Sequence, residues 1–201
     1  MSDDLILEHG APTLAGLKTG NLISCPYQSR EEVLSDVRRL NGLLRDKGLC
    51  MIPLKYMSRR VLIYLYRPQM LLEDLSKPSS RRILEKCGYQ TASGKEEKRR
   101  LLAEQKGNRA YRADCLRILV QKLQNSEDFP HEIGLFLGYP PEDVLGFIEN
   151  HGENSKLTGV WKVYGDPEAS RIRFEQFRTC TRIYCKAFRR GVPLAKLAVA
   201  R

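Results

Sequence analysis

Apolar residues recur at helical spacing along most of the chain. In the segment 29–48, SREEVLSDVRRLNGLLRDKG, apolar side chains return every three or four positions and form one face, which is typical of an amphipathic helix. Ser29 and Glu32 form a capping box at its start, and Gly48 is a natural stop. Further helices are predicted over residues 68–77, 79–88, 93–107, 110–124, 141–152 and about 167–190.

The N-terminal segment is less regular, because residues 5–25 mix apolar and small side chains. Gly10, Ala11 and Pro12 are adjacent, and glycine and proline both weaken a helix. We therefore expect a helix to begin only at Thr13, whose hydroxyl can cap the first turn.

Three segments have the composition of β-strands: 49–57 (LCMIPLKYM), 61–67 (VLIYLYR) and 159–165 (GVWKVYG). The second is almost continuously apolar and rich in β-branched and aromatic residues, which predicts burial on both faces. Pro53 places the first strand at an edge of the sheet, because proline cannot donate a hydrogen bond to the ladder.

Three strands among many helices, without regular βαβ alternation, indicate an α+β fold. We predict a mostly helical single domain over residues 1–201, built around a small, roughly three-stranded sheet. Within it, we interpret residues 93–109 as a basic insertion and residues 191–201 as a flexible tail.

The net charge of +10 is unevenly distributed over the 201 residues. Residues 171–201 carry nine Lys or Arg and one acidic residue, and residues 95–112 carry seven and three. On a helical wheel at about 100° per residue, the C-terminal helix has an arginine face and a separate aromatic face. These faces consist of Arg171, Arg178, Arg182 and Arg189, and of Phe174, Phe177, Tyr184 and Phe188. We expect the aromatic face in the core, and the arginine face is either solvated or binds an anion.

The cysteines and the chain start bear on the compartment. Six cysteines are scattered without a C-x-x-C pair, and the acidic start MSDDLILEHG has no long apolar run. These features predict reduced thiols, no secretory signal and a cytoplasmic location. No apolar run approaches the roughly 18 residues of a membrane span. The usual zinc-ligand spacings are missing as well, so we expect neither membrane association nor a metal site.

The segment HGAPTLAGLKTGN (9–21) contains three polar candidates, His9, Lys18 and Asn21, among apolar and turn residues. Its glycines and lysine depart from the spacing of a phosphate-binding P-loop, in which backbone amides cradle the phosphates. The segment either lines a pocket or is a surface loop with a structural histidine.

The segment FPHEIGLFLGYPPEDV (129–144) carries His131 and Glu132 directly after a proline. Position 135 is Leu, so the second histidine of the H-E-x-x-H zinc motif is missing. The pair is either an acid/base site or only a well-formed helix start.

The segment GVWKVYGD (159–166) contains the only tryptophan. On a strand, Trp161 faces away from Lys162, and Lys162 shares its face with Tyr164. We expect Trp161 in the core, and Lys162 and Tyr164 in a cleft.

Three long motifs stand out in these segments. They are H-x-A-P-T-L-A-G-L-K-x-x-N-L at residues 9–22, F-P-H-E-I-G-L-F-L-G-Y-P-x-E-D-V at 129–144 and G-x-W-K-V-Y at 159–164. Together they resemble a bacterial family catalogued as a domain of unknown function, number 3793. The resemblance covers nearly the whole chain and implies no established reaction, cofactor or partner. The signature blocks it implies include His9, Lys18, Asn21, His131, Glu132, Trp161 and Lys162, and the basic segment 93–109 lies outside them.

We expect the protein to bind a small anionic molecule in a pocket formed by the N-terminal segment, the His131–Glu132 helix start and the third strand. The ligand-binding residues would be His9, Lys18, Asn21, Lys162 and Tyr164, and the acid/base residues His131 and Glu132. One alternative is a nucleic-acid-binding accessory protein that uses Arg171, Arg178, Arg182 and Arg189. Another is a regulatory or interaction protein without chemistry of its own. No residue pattern identifies a cofactor, a reaction or an oligomeric state.

Overall fold

The computed structural model describes residues 1–89, 105–125 and 128–200, except for the side chains of residues 105–108. In chain order the elements are α1 (Asp3–Leu14), β1 (Gly20–Pro26), α2 (Arg30–Leu44), β2 (Cys50–Tyr56), β3 (Arg60–Tyr66), α3 (Pro68–Ser76), α4 (Pro78–Lys86), α5 (Gln105–Asn125), α6 (Ile133–Phe136), α7 (Pro141–Glu149), β4 (Leu157–Thr158), β5 (Lys162–Val163), α8 (Pro167–Arg189) and α9 (Leu194–Leu197). The predicted α+β class is confirmed. The sequence also predicts a helix over 93–107 and a basic insertion over 93–109. Positions 93–104 of both segments lie outside the described residues.

The main sheet is antiparallel with strand order β1-β3-β2. The most apolar strand, β3, is central, and β2 is an edge strand, as Pro53 predicts. The pairing register of β2 shifts between Pro53 and Lys55, where the ladder is irregular.

The third strand of this sheet is not the one that the sequence predicts. β1 pairs with β3 from Gly20–Tyr66 to Pro26–Arg60, whereas the predicted strand at 159–165 supplies only β5, which pairs with β4 in a separate two-stranded sheet. The backbone turns tightly before β5, where Gly159 N donates to Trp161 O. A Cβ at Gly159 would lie 2.2 Å from the Phe174 ring, so glycine is needed where the chain passes α8.

The start of α1 also differs from the prediction of a helix beginning at Thr13. The helix begins at Asp3, is capped by Ser2, and continues through Pro12 to Leu14. A Cβ at Gly10 would lie 2.6 Å from Leu65 Cδ2, so this glycine lets α1 lie close against β3. Packing against the sheet and α8 therefore outweighs the local helix-breaking tendency of Gly10 and Pro12.

The sheet separates two hydrophobic cores, and the side chains of β3 alternate between them. Ile63 and Leu65 pack with α1, α2 and α9 in one core, and Tyr64 and Tyr66 pack with α3 to α7 in the other. This alternation explains why β3 is continuously apolar: both of its faces are covered.

The long C-terminal helix α8 reaches two apolar clusters. Near its start, Phe174 and Phe177 pack with Trp161 and Val163 in a third, smaller cluster, with the Trp161 and Phe174 ring centroids 4.5 Å apart. Further along, Tyr184 and Phe188 pack against the core under α1. The predicted aromatic face is therefore an inward face.

Residues 191–200, within the segment that the sequence analysis interprets as a tail, run back to the core. They include α9, whose Leu194 is buried, and Val199 N donates to Leu14 O at 3.0 Å. The chain end is thus attached to the end of α1.

Arg67, directly after β3, is buried and links distant parts of the chain. Its guanidinium donates to the carbonyl oxygens of Thr13 (2.7 Å), Leu14 (2.7 Å), Lys47 (3.1 Å) and Val199 (2.8 Å). Its backbone N–H donates to Thr19 O at 2.9 Å. One side chain therefore holds the end of α1, the turn after α2 and the C-terminal segment together.

We expect Arg67→Lys to lower the free energy of unfolding by about 3 kcal/mol, because a lysine ammonium cannot reach all four carbonyls and leaves some of them unpaired. Urea unfolding measures the change. Arg59→Lys, at the exposed turn between β2 and β3, is the matched control and should change little. An equal loss in both variants would contradict a linking role for Arg67.

Candidate functional site

The end of the N-terminal segment folds against the loop after α6. Gly138 has a φ of +75°, and a Cβ there would lie 2.7 Å from Thr19 Oγ1. Glycine is thus required both by the backbone conformation and by the close approach of Thr19. This contact places Lys18 beside Tyr139, with the ammonium 5.0 Å from the centre of the tyrosine ring.

Lys18 lines a cavity of about 500 Å³, which we call the Lys18 cavity. Its wall includes Lys18, Thr19, Asp74, Tyr139, Ser170 and Arg173. Only 4% of the Lys18 surface is exposed. Burial lowers the pKa of the Lys18 ammonium from 10.5 to about 7.

Four carboxylates of described residues line this cavity; the three aspartates have other hydrogen-bond partners, and Glu142 is exposed. Asp74 accepts from Thr19 Oγ1 and, at 2.6 Å, from Lys77 Nζ. Asp166 caps α8 through the N–H groups of residues 168 and 169. Among the described residues, the Lys18 ammonium forms no ion pair or hydrogen bond, and its polar contact is the face of Tyr139.

Asp143 is 2% exposed and joins the loop to the segment around Trp161. Its Oδ2 accepts from Trp161 Nε1 at 2.7 Å, and its Oδ1 accepts from the backbone N–H groups of Tyr164 and Gly165, also at 2.7 Å. Three donors satisfy this buried carboxylate, so Asp143 fixes the wall of the cavity instead of pairing with Lys18.

A second cavity of about 390 Å³ adjoins the first and shares Tyr139 and Asp143 with it. We call it the Trp161 cavity, and its other lining residues include His131, Phe147, Trp161 and Lys162. The exposed imidazole of His131 lies 4.9 Å from Phe147, ring centre to ring centre. Lys162 Nζ donates to the carbonyl oxygen of Gly152. Two of the predicted residues, His131 and Lys162, therefore meet in one cavity.

Glu132 points away from its neighbour His131. The Glu132 side chain is buried and accepts a hydrogen bond from Lys122 Nζ, which also donates to Cys87 O at 2.8 Å. Lys122 lies 5.0 Å above the Tyr89 ring. The predicted His131–Glu132 pair is therefore divided between two environments, and Glu132 lines neither of the two cavities.

Three other predicted ligand residues also lie away from both cavities. His9 is exposed on α1, Asn21 Oδ1 accepts from Thr13 Oγ1 at 2.7 Å, and Tyr164 Oη donates to Glu153 O at 2.8 Å. The side chains of Asn21 and Tyr164 thus have local structural partners.

The arginine face of α8 is exposed throughout. Arg171 and Arg178 form ion pairs with glutamates three residues earlier, at 3.7 and 3.0 Å. The face consists of Arg171, Arg178, Arg182 and Arg189. Exposed arginines of this kind occur both on surfaces that bind nucleic acid and on ordinary solvated helix faces, so their exposure does not distinguish the two.

Sequence reasoning missed Tyr139 and Asp143 as site residues, although both stand within the 129–144 motif. Asp143 follows Pro141 in the first turn of α7, where a carboxylate normally serves the helix start. Its actual partners lie about twenty residues later, so no local signal reveals them.

The fold and the paired cavities define a small α+β protein with an uncompensated buried lysine. The chain belongs to the family described as Protein of unknown function (DUF3793), whose sequence profile matches residues 6–198. No curated protein and no solved structure matches the chain.

Two further observations concern only residues 1–89, 105–125 and 128–200. Every helix in these ranges is too short or too polar to cross a bilayer. These ranges also bring together no group of three or more His, Cys, Asp or Glu side chains that could ligate a metal ion.

Replacing Lys18 should change stability in a pH-dependent manner. The unfolded chain keeps the Lys18 proton up to about pH 10.5, whereas the folded protein loses it near pH 7. The charged Lys18 side chain therefore destabilises the fold fully below pH 7, and this destabilisation becomes smaller as the pH rises from 7 towards 10.5. We expect Lys18→Met to raise the free energy of unfolding by roughly 3 kcal/mol at pH 6 and by much less at pH 10.

Urea unfolding at both pH values measures this difference, and Lys86→Met, at an exposed position of α4, is the control. The Lys86 variant should show the same small effect at both values. A Lys18→Met effect that is independent of pH would contradict the burial of an uncompensated ammonium.

Glu132 should behave as a structural residue. We expect Glu132→Gln to lower the free energy of unfolding by about 2 kcal/mol, because the amide no longer neutralises Lys122. Glu149→Gln, at the exposed end of α7, is the matched control in the same urea titration. Unchanged stability of the Glu132 variant would show that the carboxylate is not needed to compensate Lys122.

Proposed function

We propose that the protein binds a small anionic molecule in the Lys18 cavity. The observation that supports this proposal is the buried Lys18 ammonium, which faces a cavity and has no carboxylate partner among the described residues. Burying an ammonium without a partner is costly, and most proteins avoid it or compensate it. Strongly perturbed ionisable groups in clefts are typical of functional sites.

An anion from outside would supply the missing partner. Asp74, Asp143 and Asp166 already accept hydrogen bonds, so they are poorly placed to neutralise Lys18. Glu142, which also lines this cavity, is exposed to solvent and forms no ion pair with Lys18. Arg173 and the hydroxyl of Ser170 line the same wall and offer further donors to the ligand. The volume of about 500 Å³ suits a small molecule.

The adjoining Trp161 cavity provides room for an apolar part of the ligand. Its wall includes Phe147, Trp161 and Ile133, and it meets the Lys18 cavity at Tyr139. We therefore favour a carboxylate with an apolar or aromatic portion. In this proposal His131 and Lys162 contact the ligand. If the protein is an enzyme, His131 is the residue that transfers a proton to or from the ligand. Glu132 has no chemical role.

Binding should depend on pH in a way that identifies Lys18. An anion favours the protonated ammonium, so binding raises the pKa of Lys18 above its unliganded value of about 7 and takes up a proton near neutral pH. We expect the affinity to be highest below pH 7 and to fall by up to tenfold per unit above it. Calorimetric titrations with acetate, benzoate, pyruvate and inorganic phosphate at pH 6, 7 and 8.5 measure this dependence.

Lys18→Met should abolish the binding of whichever of these anions is bound. Lys77→Met is the matched control, because Lys77 lines the same cavity but is half exposed and already paired with Asp74. It should change the affinity by less than about threefold. Anion binding that survives Lys18→Met, or that strengthens at pH 8.5, would exclude this site.

A further inference from the structure

A cleft on another part of the molecule is lined by four arginines, and we call it the arginine cleft. Its volume is about 1090 Å³, and its wall includes Arg38, Arg45, Arg109 and Arg112. Among the described residues that line it, none is acidic. The cleft therefore has a concentrated positive charge.

Helical spacing explains why these arginines meet. Arg38 lies on α2, Arg45 caps the end of that helix seven residues later with helical backbone angles, and Arg109 and Arg112 are three residues apart on α5. Residues at these spacings share one face of a helix. Two guanidinium groups from α2 and its C-cap, and two from α5, therefore line the same space.

Within the described residues, none of these four arginines has a carboxylate partner. Arg112 donates to the carbonyl oxygen of Pro68 at 3.0 Å, which leaves other N–H groups of its guanidinium for a ligand. Arg39, beside Arg38 on α2, does pair with Asp36 at 3.7 Å and does not line the cleft. Arg39 therefore differs from the cleft arginines in having a carboxylate partner.

The cleft also has an aromatic and apolar part. Tyr66 and Leu72 line it and are buried, with 6% and 9% of their surfaces exposed. A flat ring can lie against such a surface while charged groups of the same ligand reach the arginines. Sites of this composition, with an apolar floor and a few convergent polar groups, are typical of small-molecule ligands.

We propose that the arginine cleft binds a nucleoside polyphosphate. The planar guanidinium groups are suited to bidentate contacts with phosphate oxygens, and four of them match a ligand with several negative charges. The base lies against Tyr66 and Leu72. The site is independent of the Lys18 cavity and of its ligand.

The first test is binding of ATP to the full chain at about 150 mM salt, a concentration that screens weak surface attraction. Arg38→Gln, Arg45→Gln and Arg109→Gln should each weaken ATP binding about tenfold or more, since each removes charged hydrogen bonds to phosphate. Arg39→Gln removes an equal charge from the same helix and should change the affinity less than about threefold.

A second variant fills the cleft without changing its charge. A Cβ at Gly42, which also lines the cleft, meets nothing within 4 Å, so a larger side chain fits there without disturbing the fold. Gly42→Phe should therefore keep the thermal melting temperature and weaken ATP binding at least tenfold. Lys18→Met should leave ATP binding unchanged.

Three comparison ligands test the class of ligand. Adenosine should bind at least a hundredfold more weakly than ATP, and tripolyphosphate should bind more weakly than ATP because it lacks the base. Tripolyphosphate binding as tight as that of ATP would overturn the nucleoside assignment.

A 20-nucleotide single strand of DNA that binds more tightly than ATP, with the same arginine dependence, would assign the cleft to nucleic acid. Equal losses from Arg39→Gln and Arg38→Gln would overturn the site altogether.

Discussion

The guanidinium of Arg67 links three parts of the chain that are distant in sequence. It donates to the last carbonyl oxygens of α1, to Lys47 after α2 and to Val199 near the chain end. The carbonyls at the end of a helix carry its partial negative charge, so they suit a buried cation. The backbone of the same residue holds Thr19, which directly follows Lys18. This backbone hydrogen bond joins the segment that carries Lys18 to the end of the central strand.

Buried charges elsewhere in the described part of the chain are compensated. Arg67 is surrounded by carbonyl oxygens, Glu132 is paired with Lys122, and Asp143 accepts three hydrogen bonds. Lys18 is different, because an aromatic face is a weak substitute for an anion. Lys18 is therefore an exception in a fold that otherwise pairs its buried charges. Ionisable groups perturbed in this way are common at binding and catalytic sites.

The helix α3 connects the two sites. Its first residues, Pro68 and Gln69, line the arginine cleft, and Met70 and Asp74 line the Lys18 cavity. Tyr66 and Arg67 precede it, and they serve the cleft and the Lys18 segment respectively. Both sites therefore depend on the same short stretch of backbone at the end of β3, which is held by the central strand of the sheet.

Several features of the protein follow from the sequence by itself. The cap and apolar face of α2, the burial of β3 and the edge position of β2 each depend on local patterns, such as Ser29 before a periodic helix or Pro53 within a strand. Lys18, His131 and Lys162 could be selected as candidates because polar side chains stand out within apolar, turn-rich motifs. The tertiary structure alone decided that α1 continues through Pro12, that β1 completes the sheet, and that His131 and Glu132 face different environments. It also decided which lysine lacks a partner and which arginines meet. Local patterns report the preferences of neighbouring residues, whereas the partner of a charge or a strand depends on contacts between residues far apart in the chain.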